Sequence, residues 1–385
     1  MTARPLKILI TDPHLKGGGQ VRYIANLARE LTRLGHSIIV GCKPGSVLVD
    51  CGRQAGAPVH DRFRYRGGLR PRAWLHDLRA ARAFIAREAP DILHANGSQD
   101  HWISALANRT LGAPVCMVRT RHNTYPVHDA WPNRLLNRHW TDYQIVVCET
   151  VRARLAQQRA FDAARMRSLH NGVDPAQFHP DPEARARARA AFGYTAEHVV
   201  LGMAARLVIA KGHRFLFEAA PTLRLEFPNL RILLLGQGVL ENSLKQSVRD
   251  AGLDSIVTFA GFRDDMPVCI QAFDIGVQPS IDCEASSFSL MEQMATEKPI
   301  VTSDHGGSKE IVRDGLDGFV VPAGTVDPLA DALRALIAEP GRRIAMGRSA
   351  RERILSAFTL EQFAARTVDA YREALDICQH RRRNA

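Results

Sequence analysis

Two glutamates, Glu284 and Glu292, stand eight positions apart around a turn of small residues, Ala285-Ser286-Ser287-Phe288-Ser289. The apolar run Phe273-Asp274-Ile275-Gly276-Val277 before them reads as a buried parallel strand. Leu290, Met291, Met294 and Ala295 read as the apolar face of a helix predicted over 286–296. Glu284 then falls on a strand-to-helix loop and Glu292 inside the helix. The backbone N–H groups of Ser286 to Leu290 project from the helix start, a place that favours phosphates. A carboxylate beside a phosphate pocket serves the hydroxyls of a sugar or ribose, whose hydrogen bonds it accepts well. Upstream, Arg206 and Lys211 lie five apart on another strand-to-helix loop, with Gly212 behind the lysine. An arginine fork and a lysine point charge suit a diphosphate, although such a pair alone also reads as surface charge. With the serine-rich helix start it makes two anion sites at the C-terminal ends of strands in one sheet, where open α/β folds bind ligands.

Other candidates carry less. Gly17-Gly18-Gly19 follows the first strand and either allows close backbone approach to a ligand or is a flexible loop. Neither G-x-G-x-x-G nor G-x-x-x-x-G-K-[ST] occurs, so the dinucleotide and P-loop fingerprints both fail. His94 and His122 each follow a predicted strand, and each reads as cleft lining or as a structural histidine. Glu310 sits at a helix start, where an acid also serves the helix dipole. Asp282-Cys283-Glu284 has a superficial D-x-D spacing, but Glu284 has the better role given above, and no metal is expected. The seven cysteines are scattered without a C-x-x-C pair and read as buried reduced thiols.

The elements that position these residues alternate. Strands are predicted at Lys7–Thr11, Ser37–Gly41, Asp91–His94, Val115–Arg119 and Gln144–Cys148, with helices at 21–34, 73–88, 99–110 and 150–158. After a turn-rich segment, Asn171-Gly172-Val173-Asp174-Pro175 to Pro182, the alternation restarts. Strands are predicted at Val199–Ala204, Arg231–Leu235, Val257–Ala260, Ile275–Gln278, Ile300–Thr302 and Gly318–Val321. Alternating βαβ units imply doubly wound parallel sheets, and 385 residues accommodate two domains. We place them at 1–180 and 181–355, with a last helix over 356–376. Net charge is +14 over residues 1–190 and −3 over 191–385. Arg62 to Arg87 is especially basic and carries Trp74, Leu75, Leu78, Ala81 and Ile85 at helical spacing. Such a helix lies on an anionic membrane or faces the core with its arginines in solvent. Its arginines lack interleaved aromatics, which argues against nucleic acid. No segment approaches a transmembrane span, and the N-terminus runs straight into a strand without a signal-peptide core, so a cytoplasmic location is expected.

Together these residues resemble the family 4 retaining glycosyltransferases of the GT-B type. The resemblance rests on four features: the glycine loop; Asn171-Gly172-Val173-Asp174 with Phe178; Arg206 to Lys211-Gly212; and Glu284-x7-Glu292 continued by Lys298-Pro299-Ile300-Val301 and Gly306-Gly307 to Glu310. It implies two facing Rossmann-like domains, acceptor-binding then donor-binding, with a C-terminal helix (356–380) crossing back onto the first. It also implies roles. Arg206 and Lys211 hold the donor diphosphate, Glu284 binds hydroxyls of the transferred sugar, and Glu292 binds the ribose. Amides near Phe288, Ser289 and Leu290 hold phosphate and sugar, Phe262 and Arg263 lie near the base, His122 approaches the sugar, and Gly17, Gly18 and Gly19 contact phosphates or acceptor. The donor is a nucleotide-diphosphate sugar, UDP before GDP or ADP, with no cofactor and no metal. The acceptor is a glycan or lipid-linked glycan, anionic to match the basic first domain, at the inner face of the membrane. Arg119-Thr120-Arg121-His122 resembles lipopolysaccharide-type transferases. Two departures stand out: Ala285 and Ser287 replace the usual glycines, and Glu297 replaces a small residue before Lys298. An epimerase of the same fold, or a non-catalytic binding protein, are the rival readings.

Overall fold

Each α/β alternation forms one parallel sheet in the computed structural model, which describes residues 4–68, 70–112, 114–282 and 284–383. The first sheet comprises β1 (Lys7–Thr11), β2 (Ser37–Gly41), β3 (Val59–His60), β4 (Ile92–Ala95), β5 (Cys116–Arg121), β6 (Tyr143–Val146) and β7 (Met166–Ser168). Their order is β3-β2-β1-β4-β5-β6-β7, every pairing parallel. The second comprises β8 (Val199–Ala204), β9 (Leu230–Leu235), β10 (Val257–Phe259), β11 (Ile275–Gln278), β12 (Ile300–Ser303) and β13 (Gly318–Val321), ordered β10-β9-β8-β11-β12-β13. The central strands are built mainly from apolar residues, because helices cover both faces. Ile8, Leu9 and Ile10 in β1 and Val200 and Leu201 in β8 are at most 1% exposed.

In both sheets the strand order reverses once, between β1 and β4 and between β8 and β11. These are the switch points where loops diverge and leave a crevice at the strand ends. The loops after β8 and β11 are the two that carry Arg206, Lys211 and Glu284.

The chain divides into two compact units. The first runs to Asn171 and resumes at Leu360; the second is Gly172–Thr359. The dividing line therefore falls before residue 180. Val173 and Phe178 pack in the core of the second unit, with Phe273, Leu290 and Ile354. The last helix is Leu360–Arg383, starting four residues later than expected. It belongs to the first unit: Tyr371 meets His94, and Tyr143 Oη donates to Glu373 at 2.6 Å.

The basic helix spans Pro71–Glu88, and its buried face is Ala73, Asp77, Ala81, Phe84 and Ile85. Asp77 anchors it by accepting from the Arg64 and Tyr65 amides at 2.9 and 2.8 Å. That anchor rotates the helix, so Leu75, expected on the apolar face, is 47% exposed. Helix Pro340–Ala357 was not expected at all. Its sequence is mostly arginine, alanine and glycine, and its buried side is only Met346, Gly347, Ala350 and Ile354, too sparse to stand out as a stripe.

Candidate functional site

The second unit concentrates charge at its switch point. Glu284 is 4% exposed and makes an ion pair with Lys211 Nζ. Gln278 Nε2 donates to the same carboxylate oxygen at 2.6 Å and Ser280 Oγ at 2.9 Å. Burial alone would raise the Glu284 pKa; the Lys211 charge, with hydrogen bonds from Lys211, Gln278 and Ser280, instead holds it below the usual carboxylate range. Glu284 is thus an oriented carboxylate, and the Lys211 ammonium has further N–H donors for an anion. Arg206 is exposed on the loop after β8 and makes no side-chain hydrogen bond or ion pair among the described residues.

Glycines lock these loops together. Gly212 has φ +72°, and a Cβ there would lie 2.0 Å from Pro279 O. A Cβ on Gly236 would lie 2.1 Å from Ala205 O, and one on Gly306, at φ +62°, 1.7 Å from Glu284 O. Backbone bonds follow the same contacts: Ile281 N donates to Ala210 O at 2.9 Å and Gly307 N to Glu284 O at 3.0 Å. The loops after β8, β11 and β12 therefore position Lys211 and Glu284 as one unit. The Gly306-Gly307 part of the sequence pattern is explained by this crowding.

The helix start differs from expectation. The helix is Phe288–Ala295, not 286–296, and Ser287 is its N-cap. Ser287 Oγ accepts from the Leu290 amide at 3.3 Å and receives a bond from Gln278 Nε2 at 2.9 Å. The Leu290 N–H, assigned to a ligand, is thus already engaged. The Ser289 hydroxyl donates to Ala204 O at 2.6 Å, tying the helix to the end of β8. Ser287 stands where a glycine is usual in such chains and supplies a cap that glycine lacks. Glu297 has φ +60°, which accounts for the small residue expected there, and a Cβ on Gly347 would lie 2.2 Å from its carbonyl. Glu292 is 2% exposed, so a ribose reaches its carboxylate only if its surroundings give way. Phe262 is 63% exposed, and Arg263 forms a fork to Asp265 at 2.8 and 2.7 Å. Glu310 is the third residue of the short helix Ser308–Ile311. Cys283 lies outside the described residues.

The remaining candidates lie in the first unit. Gly17, Gly18 and Gly19 precede and begin helix Gly19–Arg33, and a Cβ on any of them would meet nothing within 4 Å. Their loop is fixed through Asp12, which accepts from Gln20 Nε2 and from His14 N at 2.7 Å. His94 is fully buried between Tyr371 Oη at 2.7 Å and Thr120 Oγ1 at 2.6 Å, and burial pushes its pKa down to about 3. It is a core histidine. His122 lies edge-on to Tyr23 and meets Asn96 Oδ1 at 2.9 Å. Asn96 Nδ2 donates to Thr11 O at 3.3 Å, so Oδ1 faces His122 and accepts from Nε2. Burial, then the Arg119 charge, holds His122 well below the usual histidine range. The ring is neutral, with Nδ1 as an acceptor.

Several residues had no signal in the sequence. Gln278 and Ser280 orient Glu284 from the end of β11; a glutamine closing an apolar strand is the one available hint. His213, 2% exposed behind Lys211, has its pKa lowered to about 4 by burial and the Lys211 charge. Among the described residues one group, Cys116, Asp142 and Cys378, is close enough to hold a metal ion. Asp142 there already accepts from Met117 N at 2.9 Å and Arg381 Nη1 at 2.8 Å. Among the described residues no helix is long and apolar enough to cross a membrane.

The model for glycosyltransferase family 4 matches residues 17–177, and that for glycosyl transferases group 1 matches 185–353. The two cover most of the chain, which belongs to the family 4, group 1 glycosyltransferases. It is 30% identical over 245 residues to the putative glycosyltransferase EpsD of Bacillus subtilis, a match spanning 62% of each chain. It is 28% identical over 361 residues to a GDP-mannose-dependent α-(1-6)-phosphatidylinositol monomannoside mannosyltransferase of Mycolicibacterium smegmatis, spanning 88% of this chain and 91% of that one. The crystal structure of Anabaena HepE with UDP and glucose superposes with a TM-score of 0.81 at 21% identity, covering 94% and 98%. That likeness gives the fold, the α/β GT-B fold.

Proposed function

We propose that the protein is a retaining, metal-independent glycosyltransferase that moves a sugar from a nucleotide-diphosphate sugar to a glycan or glycolipid of the bacterial cell envelope. The observation that carries this is Glu284, held by Lys211, Gln278 and Ser280 at the β8/β11 switch point. Glu284 takes hydroxyls of the transferred sugar, while Lys211 and Arg206 take the diphosphate. Phe262 and Arg263 flank the base, and Glu292 meets the ribose once its surroundings yield. As the bond from the sugar's anomeric carbon to the phosphate breaks, negative charge grows on the phosphate, and fixed cations stabilise it. The acceptor hydroxyl attacks the same face of that carbon and passes its proton to the departing phosphate oxygen, so no protein nucleophile is required. The names of the similar proteins support the class: one uses GDP-mannose on a phosphatidylinositol mannoside, and another was crystallised with UDP and glucose. We place the reaction on the cytoplasmic side, with the first unit binding acceptor and its exposed arginines, among them Arg72, Arg79 and Arg82, meeting anionic lipid.

The test is thermal unfolding with UDP, GDP, ADP and CMP at equal concentration, for wild type and Lys211→Ala. A ligand that binds only the folded state raises the midpoint by mass action. A rise with one nucleotide, lost in Lys211→Ala, fixes the donor class. No rise with any of them overturns the assignment of a donor site here. Transfer undiminished by a chelator, and an NMR-assigned product with the donor's anomeric configuration, test the remaining two features.

A further inference from the structure

The last helix, Leu360–Arg383, brings Cys378 beside Cys116, the first residue of β5, and Asp142, the residue before β6. One ligand atom from each lies within 4.8 Å of the other two. A tetrahedral zinc ion sets sulfur and oxygen ligands about 3.5–3.8 Å apart, so small side-chain rotations close the set. Both thiols are buried, and the Asp142 side chain is 17% exposed. The carboxylate is oriented as a ligating one is. Its Oδ2 accepts from Met117 N at 2.9 Å and its Oδ1 from Arg381 Nη1 at 2.8 Å. Those donors stand next to Cys116 on its strand and about one turn beyond Cys378 on its helix. Each carboxylate oxygen keeps a lone pair for a cation, and metal-binding carboxylates are held by such outer hydrogen bonds. Arg381 is fixed in turn on His139 O at 3.1 Å. Charge balances as well: two thiolates and a carboxylate offset a divalent ion together with the Arg381 guanidinium. A cavity of about 560 Å³ is lined by both cysteines, with Leu375 and Gln379 beside them. It gives an ion a way in and leaves its fourth position to water.

We propose that Cys116, Asp142 and Cys378 bind one thiophilic divalent ion, zinc by its chemistry, which fastens the last helix to β5 and β6. Two thiolates select such an ion over magnesium or calcium, which prefer an all-oxygen set. Each thiol loses its proton to solvent as its sulfur takes the ion, so two protons leave for each zinc bound. Cys116 pairs with Ile92 at the N-terminal ends of β5 and β4, opposite the ends that meet the switch-point loops. The ion therefore takes no part in sugar transfer. Its removal loosens the helix and leaves the transfer chemistry as it was.

The test uses the full chain, stripped of metal with a chelator and kept reduced with a phosphine. Zinc is titrated in competition with a chromophoric chelator, and cadmium is titrated with its thiolate charge-transfer absorption as the readout. One ion per chain is expected, with the cadmium band of two thiolates. Cys378→Ser should weaken zinc by at least roughly tenfold and halve the band. Cys51→Ser, a half-buried thiol elsewhere in the same unit, should change neither. Zinc should also raise the unfolding midpoint of wild type and leave that of Cys378→Ser in place. If Cys378→Ser does not fold, the wild-type stoichiometry and the cadmium band still decide. Zinc bound without a cadmium–thiolate band, which marks histidine sites on the surface, overturns the proposal. So does affinity unchanged in Cys378→Ser, or no zinc bound at all.

Discussion

Replacing Lys211 with methionine isolates the buried ion pair. Lys211→Met keeps most of the side chain's length and removes its charge. Glu284 then remains buried, its side chain 5% exposed, with only the Gln278 and Ser280 donors. Removing one partner of a buried pair costs about 3–5 kcal/mol when the other charge is left bare. Two neutral donors remain here and the carboxyl can take up a proton, so the cost falls to about 2–3 kcal/mol near neutral pH. For a domain of this size that lowers the midpoint of unfolding by roughly 4–12 °C. The dependence on pH follows from the sign of the shift. In wild type Glu284 titrates below the ordinary carboxylate range, so its contribution is present above the unfolded value and fades as pH falls through the folded one. In the variant burial acts nearly alone and moves the carboxyl up, so the variant loses stability as pH rises. The gap between the two proteins therefore narrows from about pH 7.5 to about pH 5. The double variant Lys211→Met/Glu284→Gln should recover most of the loss. Differential scanning calorimetry at both pH values reads all three. A gap under about 1 kcal/mol, one independent of pH, or no recovery in the double variant would show that the pair is not electrostatically coupled in the way argued.

Gly306→Ala should be severely destabilising, by more than about 3 kcal/mol, because a Cβ strains φ +62° and collides with Glu284 O; soluble yield and near-UV circular dichroism report it. Ser287→Ala removes the helix cap and an acceptor for Gln278, and should cost about 1 kcal/mol in chemical denaturation. The first unit should weaken in acid. Burial depresses the pKa of His94, His101 and His122, so their stabilisation is complete above the ordinary histidine value and fades as pH falls below it. Imidazole NMR should show no titration of His94 between about pH 5 and 8, and a shift in that window would contradict its burial.

The strands were legible because parallel strands covered on both faces are short apolar runs, and β1, β2, β8, β11 and β13 fall where such runs do. Boundaries slipped where side chains override pattern: Ser287 caps its helix and moves its start, and Asp77 turns the basic helix on its axis. Short elements such as β3 and Leu48–Gln54 carry too few residues to show a period. In the second unit Glu284 and Lys211 were legible by type and spacing, but their direct pairing was not, since 73 positions separate them. Gln278 and Ser280 gain their roles from tertiary neighbours, which no local spacing encodes.

The helix Leu360–Arg383 also sets an order of assembly. The second unit is inserted into the first, and its two ends are stitched together where Val173 N donates to Phe358 O at 2.9 Å. During synthesis the second unit is complete once Thr359 emerges, while β4 and β6 of the first still lack the partners of His94, Tyr143 and Asp142. Tyr371, Glu373 and Arg381 arrive last. The half made first on the ribosome is thus the half finished last, and until that helix docks its apolar sheet face is open to chaperones and proteases.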